Sequence, residues 1–406
     1  MRKIGIVGAG QSGLQLAIGL RKAGYDVIVI SAQTPEEIRS GRVTSSQCMF
    51  DSALQHERDL GINLWDCLCP PVEGIELTIA TPEPAQAVHW ASRLDRPAMS
   101  VDQRVKMPAL IQEFRNLGGE LRIREARLDD LEGLTRECAL VVVAAGKGAI
   151  TNIFERDPAR SEFDKPMRAL GLTYVNGLRP RPEFSAVCFN VIPGVGEYFV
   201  FPALTTSGQC EIMVFEGIPG GPMDCWSGIR EPQQHLEVSL GILKRFLPWE
   251  HERASAATLT DPNGILSGRF APTVRHPVAR TPSGGIVLGM ADVVCLNDPL
   301  TGQGSNNASK CATVYLRRIL DRGRAPFDAQ WMRATFSAYW EYARFVTDWT
   351  NRMLLPPPPH VLSLLTAAAT KKEIARWFVN GFDDPRRFYP RFADPIAAEQ
   401  FVIMAA

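Results

Sequence analysis

Apolar positions fall into short blocks whose spacing changes along the chain. Lys3–Val7 is a compact apolar stretch ending at Gly8, and it predicts a strand. Residues 11–21 then place Leu14, Leu16, Ala17 and Leu20 at helical spacing. Residues 27–30 form a β-branched apolar run. Strand, glycine turn, helix and strand in quick succession predict a βαβ unit and a parallel sheet. Residues 140–144 are fully apolar, run into Ala145-Gly146, and predict a later strand of the same sheet. Residues 285–288 predict another short strand, followed by a glycine-rich turn and a helix over 304–320.

Two stretches of different character lie between these blocks. Residues 71–100 are rich in Pro, Ala and Thr. Within 170–270, alternation at 186–190, 198–201 and 211–215 is broken by Pro and Gly, which predicts an antiparallel sheet. The tail is helical and aromatic, with residues 356–359, all proline, as a rigid linker between helices. The expected fold class is therefore α/β. A Rossmann-like domain is assembled from 1–70, 100–170 and 271–324, and an antiparallel substrate domain from 71–99 and 171–270. A C-terminal helical region spans 325–406.

Charge and composition narrow the function. Among 406 residues, 44 Lys+Arg balance 44 Asp+Glu, so nucleic acid and anionic membrane surfaces are poor partners. No apolar run approaches the roughly 20 residues of a membrane helix. The strand pattern begins at Lys3 and leaves no room for a signal peptide. Nine scattered cysteines are not a disulfide framework, and Cys67-Leu68-Cys69 is too tight for a zinc pair, so no metal is expected and a reduced, cytoplasmic chain is.

Gly8-Ala9-Gly10-Gln11-Ser12-Gly13 matches G-x-G-x-x-G between a predicted strand and a predicted helix. The first glycine permits the tight turn, the second lets backbone approach a pyrophosphate, and the third lets helix and strand pack closely. The helix N-terminus offers free N–H groups and a positive dipole end. These six residues are candidates for dinucleotide binding. The carboxylate that usually ends the second strand is missing, and Ser31 stands there instead. One weaker hydrogen bond from Ser31 predicts loose cofactor binding.

Toward the other end, Gly289-Met290-Ala291-Asp292 is followed, six residues on, by Pro299-Leu300-Thr301-Gly302-Gln303-Gly304-Ser305-Asn306-Asn307. This resembles the G-D-x6-P motif plus G-x-G of the flavoprotein aromatic hydroxylases, with Ala291 where that motif has glycine. The resemblance implies FAD, with Asp292 on the ribityl chain. It sets Pro299, Thr301 and the backbone N–H groups of Gly302, Gln303 and Gly304 at the isoalloxazine, and makes Asn306 a further cofactor-binding candidate. A helix N-terminus there would stabilise the negative charge of reduced flavin. Those hydroxylases also carry an Asp-Gly pair after the strand equivalent to 141–144, serving FAD and pyridine nucleotide. This chain has Ala145-Gly146-Lys147-Gly148, which implies no NAD(P)H site.

The chain resembles, over nearly its whole length, the two-component styrene and indole monooxygenases, which use FADH2 made by a separate NADH-dependent flavin reductase. The shared segments are residues 4–13, Ser40-Gly41-Arg42, Val101-Asp102-Gln103-Arg104, Leu131-Glu132-Gly133, Gly146-Lys147, residues 298–309 and Trp349-Thr350-Asn351. Arg42 and Arg104 are candidates for the FAD phosphates. Ser45, Gln47, Met49, Val72, Ile75 and Ala98 look like the indole-type pattern; the styrene type is more polar and aromatic there. The resemblance implies that reduced FAD and O2 form a C4a-hydroperoxide that epoxidises indole, with styrene-like alkenes and thioethers as further substrates. Indole epoxide would rearrange to indoxyl and oxidise to indigo.

Such chemistry belongs to the cofactor and asks the protein to position, shield and tune. That fits the lack of a nucleophile elbow, a His/Cys/Asp cluster or a pair of carboxylates in the sequence. Ser45 and Gln47 are candidates for holding the indole N–H or the flavin, and Gly302 and Gln303 for orienting the peroxide. Phe199, Phe201, Pro202 and Leu204 are expected to wall a dry pocket beside Met49, Val72, Ile75, Ala98 and Pro299. A homodimer is left open. The alternatives are a single-component NAD(P)H-dependent hydroxylase, styrene as native substrate, and a non-catalytic carrier on the same scaffold. The W-x-W-x-I-P motif of flavin halogenases is not in the sequence.

Overall fold

A computed structural model describes residues 2–146 and 148–405; Lys147, part of the resemblance above, lies outside them. One sheet has six strands, in the spatial order Val278–Arg280, Ile286–Gly289, Leu140–Val143, Lys3–Val7, Asp26–Ser31 and Glu120–Ile123. Its neighbours pair parallel except for the first two, which are antiparallel. Ile4, Ile6, Val29, Val142 and Val143 are fully buried, as expected of parallel strands covered on both faces. From Lys3–Val7 the chain fills one side with Asp26–Ser31 and later the other with Leu140–Val143. That reversal puts the switch point at the end of Lys3–Val7, where Gly8 leads into the helix Gln11–Lys22. This helix packs against Gln103–Asn116 and Gly304–Arg322.

The second sheet has eight strands. Seven follow the order Thr258–Leu259, Ala169–Asn176, Gly208–Gly217, Gly196–Thr205, Ala186–Ile192, Pro71–Ala80, Gln86–Met99, and Ile265–Gly268 also pairs with Ala169–Asn176. It is antiparallel apart from the parallel pair Pro71–Ala80 and Ala186–Ile192, a departure from the expectation of a purely antiparallel sheet. Residues 71–100, recognised from sequence only by composition, hold two long strands. Pro71 begins the first, and Pro97 falls where the register shifts between the Val72/Ala98 and Gly74/Arg93 pairs, positions that need no ladder donor.

The pleat sorts this sheet into two faces. Phe199, Phe201 and Ala203 join a core with Val72, Ile75, Phe189 and the C-terminal aromatics Trp349, Phe378, Phe382 and Phe388. Tyr198 and Val200 face the other way, toward Trp226, Leu236 and Leu243. Pro202 and Leu204 alternate with Phe201 and Ala203, so they do not share the wall expected of all four; period-two geometry forbids it. The C-terminal region contributes Ala329–Met353, Pro359–Ala367, Lys372–Gly381 and Pro395–Met404. Among the described residues no helix is long and apolar enough to cross a membrane.

Candidate active site

Gly8 has φ 115°, and a β-carbon on it would come within 2.7 Å of the Ala145 backbone nitrogen. A β-carbon on Gly13 would meet the Gly8 carbonyl oxygen at 2.0 Å. Both positions therefore demand glycine. Gly10 differs, because nothing lies within 4 Å of its would-be β-carbon. Open space in front of the turn is where a pyrophosphate would approach. Gly10 supplies no side-chain cap and the first helical turn has no acid, so the positive end of this helix is uncommitted. Ala9 packs at the margin of the core, and Ser12 is buried within the helix.

The Ser31 hydroxyl donates to the Gln33 carbonyl at 2.6 Å, so it is turned into its own loop. Arg42 is exposed and makes no ion pair among the described residues. Arg104 is not available to a phosphate. Its guanidinium is buried and donates to Asp102 at 2.8 Å, to both Asp261 oxygens at 2.9 and 3.0 Å, and to Thr205 at 3.0 Å. It clamps the helix Gln103–Asn116 to the second sheet, because two carboxylates out-compete any mobile anion for its donors.

The second glycine turn is built differently. Asp298 accepts the Leu300 N–H at 3.1 Å and caps the short turn Pro299–Thr301; Gly302, at φ 64°, ends it. The helix Gly304–Arg322 follows, again with no side-chain cap and no acid in its first turn. Gln303 and Asn306 brace this loop with their side chains. Gln303 donates to the Phe382 carbonyl at 2.9 Å. Asn306 donates to the Cys48 carbonyl and accepts the Phe50 N–H, both at 2.8 Å. Cofactor contacts expected of these two residues are thereby narrowed to their backbone. Ala291, where the resembling motif has glycine, is the one non-glycine residue with positive φ among the described residues, at 52°. Asp292 lies against Gly146, where an added β-carbon would come within 2.9 Å of the Asp292 β-carbon.

A small crevice joins the two helix starts. Gln11 of the first and Ser305 of the second line it, with Gln47, Met49, Glu57, Gln103 and Lys106. Glu57 and Lys106 form a buried ion pair. Gln11 donates to the same Glu57 oxygen at 2.6 Å, and the Lys106 ammonium lies 3.1 Å from the Met49 sulfur. The pair thus links a residue of the phosphate turn to a residue of the expected substrate pocket. Sequence reasoning missed it, because an isolated Glu and an isolated Lys on two helices carry no local signal. Ser305 Oγ, Gln303 Oε1, Glu57 Oε2 and both amide atoms of Asn307 are buried without partners. Orphaned polar atoms cluster where the two uncapped helices converge, and this set fits the phosphates and polar edge of a bound flavin dinucleotide.

The expected substrate residues are partly gathered. Val72 pairs with Ala98 across the hairpin, and both share one apolar cluster with Ile75, Phe201 and Leu300 of the second glycine turn. Met49 does not join them: it bridges to Met99, and both methionines belong to the core of the first sheet, so the expected wall is split between two cores. Ser45 and Gln47 belong to a polar chain. Gln103 donates to Ser45 at 2.8 Å, Ser45 donates to Gln47 at 3.0 Å, and Gln47 reaches the Tyr174 hydroxyl at 3.4 Å. Tyr174, in turn, donates to the Ser45 carbonyl at 3.1 Å. Burial raises its phenol well above the ordinary range, so it remains a donor. Tyr174 was not singled out from sequence; it is one aromatic among many in an alternating strand.

The chain is 29% identical over 403 residues to the styrene monooxygenase StyA of Pseudomonas fluorescens, covering 97% of this chain and 96% of that protein. A StyA from a Pseudomonas species matches at the same identity and coverage. Residues 146–253 match the family model described as "Styrene monooxygenase A putative substrate binding domain". The chain is similar over nearly its whole length to the styrene monooxygenases. The matched segment of this StyA-like chain carries four strands of the second sheet, including the one that bears Phe199 and Phe201. The fold is that of FAD-dependent monooxygenases and halogenases. The flavin-dependent brominase Bmp2 superposes with a TM-score of 0.69 at 14% identity, covering 99% of this chain and 98% of that one. The tetrameric form of 2-methyl-3-hydroxypyridine-5-carboxylic acid oxygenase gives 0.58 at 15% identity, with 98% of each covered.

Proposed function

We propose that this StyA-like chain is the oxygenase of a two-component system. It takes reduced FAD from a separate NADH-dependent reductase and epoxidises a small neutral aromatic alkene, indole in preference to styrene. The observation that carries this reading is the apolar cluster of Val72, Ile75, Ala98 and Phe201 against Leu300, next to the glycine turn. Bound reduced FAD supplies, with O2, an electrophilic oxygen that the substrate C=C bond attacks. Everything else falls to the protein. The helix starts at Gly10 and Gly304 hold the negative pyrophosphate and the negative edge of the reduced flavin. The aromatic and aliphatic wall keeps water away from the reacting oxygen. The Gln103–Ser45–Gln47–Tyr174 chain supplies fixed dipoles to the crevice that Gln47 and Gln103 line with Met49, and Gln47 selects a substrate N–H. The strands of the second sheet, with 71–99, serve as substrate domain.

The deciding experiment is turnover of indole, styrene and a thioether with chemically reduced FAD and O2. Indole oxidation to a blue product, faster than styrene epoxidation, is expected. NADH oxidation by the chain plus FAD with no reductase would favour a single-component hydroxylase instead. Gln47→Leu and Ser45→Ala are expected to shift the indole-to-styrene ratio more than flavin affinity. An equal loss on both substrates together with weakened flavin would contradict the assignment. With Ser31 turned inward, oxidised FAD should bind loosely, and a submicromolar dissociation constant would contradict that.

A further inference from the structure

The shared segment Trp349-Thr350-Asn351 lies near the end of the helix Ala329–Met353, which packs against the second glycine turn. The resemblance assigns these residues no role. Two threonines one helical turn apart reach across to that turn and the residue before its cap. Thr347 donates to the Asn297 side chain at 2.9 Å, and the Thr350 hydroxyl lies 2.6 Å from the Thr301 hydroxyl. Thr301 and Thr350 are both buried, so neither hydroxyl can exchange its partner for water. Trp349 shares the apolar cluster of Leu300 and Phe382, its ring 4.9 Å from that of Phe382. A hydroxyl beside such a cluster costs free energy unless another polar group meets it, and valine would have the same shape without that cost. Gln303 donates to the Thr301 carbonyl at 3.3 Å and to the Phe382 carbonyl at 2.9 Å. Thr301 is therefore held through its backbone by Gln303 and through its side chain by Thr350.

We propose that Thr350 is a positioning residue for the second glycine turn: its hydroxyl holds the Thr301 side chain and so fixes the direction of the backbone N–H groups of Gly302 and Gly304 that follow. This rests on reading that turn as flavin-binding. Gly302, at φ 64°, has no side chain with which to brace the turn, and glycine is the freest residue of the backbone. The turn is braced by its neighbours instead, with Asp298 capping its start and Thr301 anchoring its end. Thr350 does not line the crevice between the two helix starts, so its effect runs through Thr301.

The test uses wild type, Thr350→Val, Thr350→Ser, Thr301→Val and the double variant Thr301→Val/Thr350→Val. Two quantities are measured: oxidised FAD affinity by fluorescence titration where every variant is folded, and the urea midpoint of the flavin-free chain. Thr350→Val keeps the shape and strands the Thr301 hydroxyl. It should lower the midpoint and bind FAD about tenfold more weakly, the scale of one buried polar group left unpaired. Thr350→Ser keeps the hydroxyl and should bind FAD like wild type. In the Thr301→Val background, Thr350→Val should weaken FAD no further, because a residue that acts through another then has nothing to act on. The double variant should also recover most of the midpoint that Thr350→Val loses, since both polar groups are gone. Wild-type FAD affinity in Thr350→Val, serine binding as weakly as valine, or losses that accumulate in the double variant each overturn the proposal. If Thr350→Val alone does not fold, the double variant against Thr301→Val decides. Wild type that binds no FAD defeats the flavin reading, while the midpoints still decide whether Thr350 holds Thr301.

Discussion

Ala291 holds φ at 52°, a conformation that costs an L side chain about 1–2 kcal/mol. Glycine there would give back part of this through its looser unfolded chain, about 0.5–1 kcal/mol. Ala291→Gly is therefore expected to raise stability by about 0.5–1 kcal/mol, read as a higher urea midpoint at unchanged slope. The reason that hydroxylase motifs place glycine before the aspartate is visible in this one angle. The Glu57–Lys106 pair makes the opposite kind of prediction. Lys106→Met strands the Glu57 charge in the crevice and should cost about 3–5 kcal/mol. Adding Glu57→Leu should recover most of that loss in the same denaturant titration. A double variant no better than the single one would mean that packing around Met49, not charge, dominates.

At the scale of elements, the two uncapped helices act as a pair, and their glycines are not interchangeable. Gly13→Ala drives a methyl into the Gly8 carbonyl and should both destabilise the chain and abolish FAD binding. Gly10→Ala meets nothing in the protein, at an ordinary φ of −89°. It should leave the melting temperature within about a degree or raise it, since alanine is the better residue where the backbone permits. FAD affinity should still fall tenfold or more, because the methyl occupies the pyrophosphate's approach. Isothermal titration beside a thermal melt separates the two; unchanged FAD affinity in Gly10→Ala would remove this turn from the binding site. The elements legible beforehand were those with a strong local demand. The strand Lys3–Val7 has the bounds expected, the first helix runs one residue further than expected, and the last Rossmann helix two. The strands at 71–80 and 86–99 were not legible, because proline and alanine mask a hairpin stabilised by partners more than a hundred residues away in Ala186–Ile192.

The whole molecule carries a pH signature on its far face. His235 is buried, stacked on Trp226 at 4.7 Å and paired with Thr173 at 3.0 Å, and burial lowers it from 6.5 to about 4. Below pH 6.5 the unfolded chain binds a proton that the folded one refuses. Its contribution is present above that value and is lost as pH falls toward 4. His235→Gln should flatten the difference in urea midpoint between pH 7 and pH 5; a variant with the wild-type slope would locate acid sensitivity elsewhere.

By itself the sequence determined the parallel βαβ start, both glycine turns and the likeness to flavin monooxygenases. These rest on backbone demands that only certain residues meet, such as Gly8 at φ 115° and Gly302 at φ 64°. Of the apolar residues it pointed to, Val72, Ile75, Ala98, Phe199 and Phe201 gather in one core with Leu300, and Met49 and Leu204 lie in the other. Tertiary structure alone decided which charges meet. Arg104 turned out to be held by Asp102 and Asp261, and Glu57 to meet both Gln11 and Lys106. The physical reason is one of range. A turn is dictated by its own few residues, whereas a buried ion pair depends on the dry contact that folding creates between distant segments.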